Sequence, residues 1–539
     1  MRFPLVSNSF PQLCLTIIPV TVMLVGFTDS ANALSISRLG SFETGQSAGS
    51  EISAYDPTSQ RLFVTNGANN RIDILSITDP SNPTKFGEID LASLGGGVNS
   101  VAVKNGLVAA AVQANTVTDP GTVAFFDVSG TFLNSITVGA LPDMLTFTPD
   151  GTKLLVANEG EPNQDYSIDP EGSISIIDLS LGVASATTTT ADFSAFNSSN
   201  LDPNVRIFGP GATIQQDLEP EYIAVSGDGQ TAFITLQENN AFAILDIPNA
   251  TITDVVGLGF KDHNLPGNGL DASDRDTGIN IQNWPVFGMY QPDAISSFQV
   301  GNQTYYITAN EGDARDYDTF SEEVRVNGVT LDPTAFPNSS TLRQNTNLGR
   351  LNITNTLGDT DGDGDFDALY AFGARSFSIW DDQGNLVFDS GDDLEQITAS
   401  LLPSLFNSQG TVTDFDTRSD NKGPEPEGIT VGQVGNSLYS FVGLERIGGF
   451  MVYDLTDPTN PLFVHYQNDT AIGDISPEGL LFISAEDSPN GQSLLVLTNE
   501  VSGNTVIYSV TTPEPASILG LMMVGLIGGL TRKSSTKQK

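Results

Sequence analysis

An all-β fold built from repeated short strands is predicted by three observations. A proline–acid pair opens one apolar run and is answered by a glutamate near the end of the next. The pairs are Pro142-Asp143 with Glu159, Pro220-Glu221 with Glu238, Pro292-Asp293 with Glu311, Pro426-Glu427 with Glu445, and Pro477-Glu478 with Glu500. The glutamates follow apolar runs such as LLVANE and YYITANE, and a third run ending in Asp follows several of them (SISIIDL, AFAILDI, GFMVYDL). Turn signals (Pro149-Asp150-Gly151, Gly227-Asp228-Gly229, Pro458-Thr459-Asn460) separate the runs. A period of about 40–50 residues made of such strands is the signature of a β-propeller.

Seven units can be assigned in order: 51–92, 97–138, 141–212, 217–260, 290–391, 424–467 and 475–510. The seventh ends after its third strand, whereas Ile36–Glu43 (ISRLGSFE) precedes the first unit and resembles the outer strand TKFGEID. It is therefore expected to supply the missing fourth strand, which removes an open edge. An eight-bladed count would require 374–423 to form a degenerate blade. Four stretches exceed the repeat, at about 160–215, 261–289, 314–350 and 392–423. Long loops on a rigid scaffold commonly carry function.

The ends of the chain carry different signals. Residues 1–33 read as a signal peptide, with Arg2, the apolar run LCLTIIPVTVMLVGF and a small-x-small site at Ala31-Asn32-Ala33. Residues 34–511 form the propeller body, and 512–539 form a sorting or anchor segment. There Pro513-Glu514-Pro515 precedes the apolar run 516–530 and the basic residues Arg532, Lys533, Lys537 and Lys539. As a helix that run rises about 22 Å, against a hydrocarbon core of roughly 30 Å. It is expected to act as a single, marginal transmembrane helix with its basic end cytoplasmic.

Composition narrows the partners. The one cysteine, Cys14, lies in the predicted signal, so the exported body has neither disulfides nor a thiol nucleophile. Formal charge is −43. Such a body repels nucleic acid and anionic lipid and attracts divalent cations. Charged residues are only 16% of the chain, and apolar strands are frequent, so the acidity does not signal disorder.

Two acidic patterns point to chemistry. Asp359, Asp361, Asp363, Asp365 and Asp367, with Gly364 at the sixth position, match an EF-hand-type calcium loop. The twelfth position is Tyr370, so another acid or water must complete the shell. The shorter clusters Asp271/Asp274/Asp276 and Asp389/Asp392/Asp393 read as ordinary loop acids. The repeated carboxylates fall at the same rim of each sheet, because a strand start and the end of its antiparallel neighbour coincide there. Asp143, Glu159, Glu221, Glu238, Asp293, Glu311, Glu427, Glu445, Glu478 and Glu500 are thus expected to form an axial ring. Packed carboxylates must be protonated, paired or metal-bound. The alternative is that each caps backbone groups or pairs within its own blade.

Hydrolytic machinery is not signalled. His263 and His465 stand in unrelated contexts, the latter in an outer strand, and neither a P-loop nor HExxH occurs. Any catalysis would be metal-assisted phosphoester hydrolysis, with Arg315, Arg375 or Arg446 binding the anion.

Two resemblances sharpen these expectations. Pro-Glu-Pro-Ala, a Gly-rich apolar run and Arg-Lys over 513–533 resemble the PEP-CTERM sorting signal of Gram-negative bacteria, including cyanobacteria. It implies an exosortase-type processing enzyme as partner, an inner-membrane-tethered intermediate, and delivery to the cell surface or matrix. The segments ANEGEPN (157–163), EPEYIAVS (219–226), GMYQPDAI (288–295), ANEGDARDY (309–317), LGDTDGDGDFD (357–367), ARSFSIWD (374–381), GPEPEGI (423–429) and SPEGLLFI (476–483) resemble the choice-of-anchor I family. That family includes mesenchyme-specific cell-surface glycoproteins and exported bacterial proteins labelled alkaline phosphatase. The resemblance implies a propeller of the YVTN or quinoprotein type and assigns no catalytic residue. The expected protein is an exported, calcium-binding seven-bladed propeller that binds a surface or matrix ligand. A calcium-dependent phosphoesterase is the alternative.

Overall fold

The structure, a computed structural model, describes residues 34–512. The signal segment 1–33, the Pro513-Glu514-Pro515 motif and the apolar run 516–530 lie outside them. No helix among the described residues is long and apolar enough to cross a membrane.

Seven four-stranded antiparallel sheets account for most of the described chain. We number them blades 1–7. Their inner strands are Ser53–Asp56, Gly97–Lys104, Pro142–Phe147, Ile223–Val225, Ile295–Val300, Pro426–Val434 and Pro477–Ile483. Each inner strand contacts that of the next blade, and the last contacts the first, so the sheets close a circuit around one axis. Blade 7 takes its fourth strand from the N-terminus: Ser35–Glu43 pairs antiparallel with Asn504–Thr511, from Ser35 opposite Thr511 to Glu43 opposite Asn504.

Middle strands such as KLLVAN read as unbroken apolar runs because both faces are covered. The core accordingly divides into inter-blade layers. Phe63 and Ile72 of blade 1 meet Val101 and Val112 of blade 2. Phe233 and Phe242 of blade 4 meet Tyr306 and Trp380 of blade 5, with the Phe233 and Tyr306 rings stacked at 3.9 Å. Leu62 and Leu75 close the circuit against Val496 and Ile507. At about 25 cal/mol per Å² of apolar surface, these layers supply the main driving force.

Near the axis the blades touch through backbone, which explains the glycine in the two Pro-Glu-Gly motifs. A Cβ on Gly428 would lie 2.2 Å from the Glu478 carbonyl oxygen, and one on Gly479 would lie 2.4 Å from that of Glu51. Gly479→Ala must therefore push blade 7 from blade 1. We expect a loss of about 1–3 kcal/mol, the usual range for overpacking, read as a lower denaturant midpoint at unchanged m-value. An unaltered midpoint would mean that the blades are not in backbone contact.

The fifth unit departs from simple repetition. Its strands Ile295–Val300 and Gln303–Asn310 join Ser376–Asp381 and Leu386–Asp389 across a long insertion. With residues from 260–289, the insertion builds a five-stranded sheet, ordered Phe260–Asp262, Phe287–Met289, Tyr370–Ala371, Asn352–Thr354 and Glu323–Arg325. Leu270, Trp284, Val286, Leu348, Ile353 and Leu369 give it a separate core. The segments 261–289 and 314–350, expected as loops, thus contain short strands. ALYAFGARSFSIW is not one strand: left-handed Gly373 (φ 71°) and Arg375 (φ 54°) divide it between two sheets. Residues 374–423 do not form a further blade, because 376–389 completes blade 5 and Asp393–Leu401 is helical. His465 falls in the outer strand Leu462–Gln467 of blade 6.

Candidate functional site

The proline–acid repeat has a backbone cause. In blades 3, 6 and 7, the proline pairs with the residue just before the answering glutamate: Pro142 with Asn158, Pro426 with Leu444, and Pro477 with Asn499. The register then shifts just after it in each case. Such a bulge redirects the next side chain. The glutamate amide donates to the carbonyl of the residue before proline: Glu159 to Leu141 at 2.9 Å, Glu445 to Glu425 at 2.9 Å, and Glu500 to Ser476 at 2.8 Å. Leu141, Glu425 and Ser476 are all left-handed (φ 45°, 50° and 63°), as is Gln291 before Pro292 (φ 42°). Non-glycine residues seldom adopt this region, and such strain concentrates at functional sites.

The result is a convergence of acids on the axis. A cavity of about 210 Å³ is lined from every blade, by Ile52, Asn99, Asp143, Tyr222, Asp293, Glu427 and Glu478 among others. A second space of about 170 Å³ shares Asp143, Gln237 and Asp293 with it and adds Glu159, Glu161, Glu221, Glu238 and Asp313. Carboxylate oxygens fall into trios lying within 4.8 Å of one another: Glu159/Glu221/Glu238, Asp293/Glu311/Glu427 and Glu311/Glu425/Glu445. Glu478 feels the charges of Glu51 and Glu500. Nine of the ten repeated acids thus line these spaces or fall in these trios, and Glu500 is linked to them through Glu478.

Crowding and burial act together on these groups. Burial, followed by repulsion from Glu238 and Glu159, holds Glu221 well above the usual carboxylate range. Burial and then Glu445 do the same to Glu427, while burial and then Glu51 raise Glu478. Asp143 rises to about 6 by burial. Glu51 rises to about 7 through burial and the charge of Glu500. Removal from water favours the neutral form of an acid, and a nearby like charge adds to the effect.

Protein cations serve one side of the crowd. Lys422 Nζ lies 2.6 Å from Glu311 Oε1 and 3.5 Å from Glu425 Oε2. Arg418 reaches Glu425 at 2.6 Å, and Arg446 reaches Glu425 at 3.1 Å and Glu445 at 2.9 Å. Burial would raise Glu425, but Lys422, Arg418 and Arg446 outweigh it, and its carboxyl titrates low. Of the three arginines expected to bind an anion, only Arg446 stands among the ring acids with part of its side chain exposed. Arg315 is buried, with its terminal nitrogens on Asp217 and, at 2.7 Å, on Glu219. Arg375 is also buried and donates to Glu395 at 2.6 Å and to the carbonyls of Asp271, Ser419 and Asn421. Their positive charge is already committed, which corrects the expectation for both.

Several members carry no proline–acid signature. Glu51 occupies the same place in blade 1: its amide donates to Thr65 O, as that of Glu221 does to Thr235 O and that of Asp293 to Ala309 O. The register of EISAY against EYIAV could have revealed it. Asn99 and Ser100 stand there in blade 2, so that blade brings amide and hydroxyl instead of charge.

The acidic loop at 359–367 lies apart from the axis, on the insertion. Asp359, Asp361 and Asp367 bring oxygens within 4.8 Å of one another, and Asp365 and Asp367 do so with Asp332. Asp332 is delivered by its neighbour, since Leu331 bridges Phe366 and the Asp332 amide donates to Phe366 O. This places a further acid beside the loop, whose twelfth position is Tyr370. Asp363 belongs to neither trio, and its Oδ1 accepts from the Asp365 amide at 3.1 Å. The shorter clusters are consumed within the protein: Asp274 binds Arg350 at 2.9 Å, and Asp389 binds Lys261 at 3.0 Å.

Comparison with known proteins places the chain. Gigasin-3a of Magallana gigas is 32% identical over 185 residues, covering 30% of this chain and 64% of that protein. A mesenchyme-specific cell surface glycoprotein of Strongylocentrotus purpuratus is 28% identical over 278 residues, covering 45% of this chain and 35% of that protein. The matches thus span less than two thirds of either relative. Among solved structures, Kuenenia stuttgartiensis hydrazine synthase aligns over 88% of this chain and 98% of its own at 12% identity, with a TM-score of 0.47. The WD40 domain of Toxoplasma gondii coronin aligns over 90% of this chain and 88% of its own at 9% identity, with a TM-score of 0.44. A PEP-CTERM protein-sorting motif matches residues 511–533 and implies export to a bacterial cell surface with exosortase processing. The choice-of-anchor I domain model matches residues 51–458, and the chain belongs to that family.

Proposed function

We propose that this exported propeller is a calcium-binding surface or matrix protein whose acidic axial cavity receives an extracellular ligand. The observation that carries this reading is the single cavity lined by acids from blades 3, 5, 6 and 7 together with residues of the other three. A rigid scaffold spends strain and electrostatic repulsion on that arrangement, as binding sites commonly do. Calcium at the 359–367 loop would tie its oxygens to Asp332 and stiffen the insertion beside blade 5. Carboxylate-only ligation suits a hard cation, and the exposed loop suits an extracellular affinity range. Phosphoester hydrolysis has less support, because Arg315 and Arg375 are already paired.

Calcium titration followed by thermal melting tests the loop. Saturating calcium at 100-fold above Kd is expected to add about 2.7 kcal/mol per site. Asp361→Asn with Asp367→Asn should remove the loop's share of that gain. An unchanged melting temperature in wild type at millimolar calcium would overturn the calcium reading.

A further inference from the structure

The trios at the axis are alike in composition but not in what already satisfies them. Glu311 has both oxygens engaged, Oε1 by Lys422 Nζ at 2.6 Å and Oε2 by Gln237 Nε2 at 3.2 Å. Glu425 and Glu445 are served by Arg418, Arg446 and Lys422. Among the described residues Glu159, Glu221 and Glu238 form no salt bridge. Among the described residues no donor serves Glu221 Oε2 or Glu238 Oε2, which are buried on side chains only 7% and 4% exposed, and the two carboxyl groups lie close enough to share a proton. Arg315, which also feels Glu238, is committed to Asp217 and Glu219.

Leaving buried carboxylate oxygens unpaired carries a heavy desolvation cost, so a native site of this kind calls for a cation or protons. The oxygens of the trio lie within 4.8 Å of one another, as the ligands of one ion must. Glu161 lines the same space and brings a fourth carboxyl group close by. Neither histidine nor cysteine is among the residues lining that space, so the donor set selects a hard, oxygen-loving ion.

We propose that Glu159, Glu221 and Glu238 hold one resident calcium between blades 3 and 4, and that the Lys422–Arg446 side of the crowd takes none. This inference rests on the reading of the axial cavity as a binding site and gives the smaller space adjoining it a specific occupant. The ion would cross-link two blades: Glu159 follows the second strand of blade 3, while Glu221 and Glu238 flank the first two strands of blade 4. Calcium takes about six to eight oxygen ligands, so three glutamates would leave positions for a ligand with anionic or carbonyl oxygens.

The test uses purified full-length protein stripped with EDTA, with the 359–367 loop silenced by Asp361→Asn and Asp367→Asn. Equilibrium dialysis against calcium should find one ion bound. Terbium in its place should luminesce on tyrosine excitation, because Tyr317 donates its hydroxyl to Glu161 Oε1 at 3.2 Å. Adding Glu221→Gln should weaken binding at least tenfold and quench that luminescence, whereas Glu311→Gln should leave both intact. Glu221→Gln removes one of several mutually repelling charges, so the metal-free variant is expected to melt no lower than its parent. Wild-type calcium content in the Glu221→Gln/Glu238→Gln variant overturns the site, as does the absence of calcium from the loop-silenced protein. Neither result touches the ligand reading of the cavity, which fails only if the cavity acids are dispensable for surface binding.

Discussion

Removing residues 34–43 is expected to abolish a stable fold. The segment supplies the fourth strand of blade 7, so that this sheet is built from both ends of the described chain. Ile36, Leu39 and Phe42 pack against the layers on either side of that blade, while Arg38 binds Asp474 at 3.2 Å. At about 1 kcal/mol for each half-buried apolar side chain, together with the lost strand ladder, the deletion costs about 5 kcal/mol or more. That equals the lower end of a domain's whole stability, and it exposes Asn504–Thr511 as an unpaired edge. Soluble yield and melting temperature should both collapse, and a peptide of residues 34–43 added during refolding should recover part of each. Normal melting of the truncated chain would show that blade 7 closes without it.

Metal-free protein is expected to lose stability as pH rises, the reverse of ordinary acid denaturation. Burial raises Asp143 to about 6, Glu51 to about 7 with help from Glu500, Glu161 to about 7 with help from Glu238, and Glu445 to about 8 with help from Glu311. In the unfolded chain these acids titrate near 4. The fold therefore favours their protonated forms. That stabilisation is complete below about pH 4 and is lost as pH climbs through 6 to 8. Each tenfold gain in proton affinity on folding corresponds to about 1.4 kcal/mol, and several groups act together, so melting temperature at pH 8.5 should fall well below that at pH 5.5. Calcium at pH 8.5 should restore much of the difference by replacing the missing protons. Half-molar salt should not, because the charges are buried. Equal melting temperatures at the two pH values without metal would mean that the axial acids are neutralised by some other route.

How much of this was legible in the sequence follows the chemistry of each part. The seven sheets were visible because the middle strands bury both faces and keep their turn signals, and the closing strand because ISRLGSFE lacked a partner of its own. The acids were visible where proline marked them. Glu51 was hidden because no proline precedes it, and Glu161 because it lies beyond the answering glutamate. Lys422 and Arg418 sit in a segment read as a loop, so the partial neutralisation of the ring by Lys422 could not be foreseen. Arg315 was expected to bind an anion, yet Asp217 and Glu219, about a hundred residues earlier, claim it. The insertion sheet escaped notice for a different reason. Its strands are two or three residues long and become strands only through pairing with segments far away in the chain.

The left-handed residues before proline were equally invisible. Leu141, Gln291, Glu425 and Ser476 share no side-chain type; what unites them is the left-handed backbone before proline, and three of them present their carbonyl to the answering glutamate. Repetition of that backbone turns a sequence repeat into a ring of inward-pointing acids.

Anomalous diffraction from crystals grown with calcium and back-soaked with terbium tests that convergence most directly. The account predicts a peak coordinated by Glu159, Glu221 and Glu238, a second at the 359–367 loop, and none between Glu311, Glu425 and Glu445. An empty space between blades 3 and 4, with these glutamates turned away from one another, would contradict it.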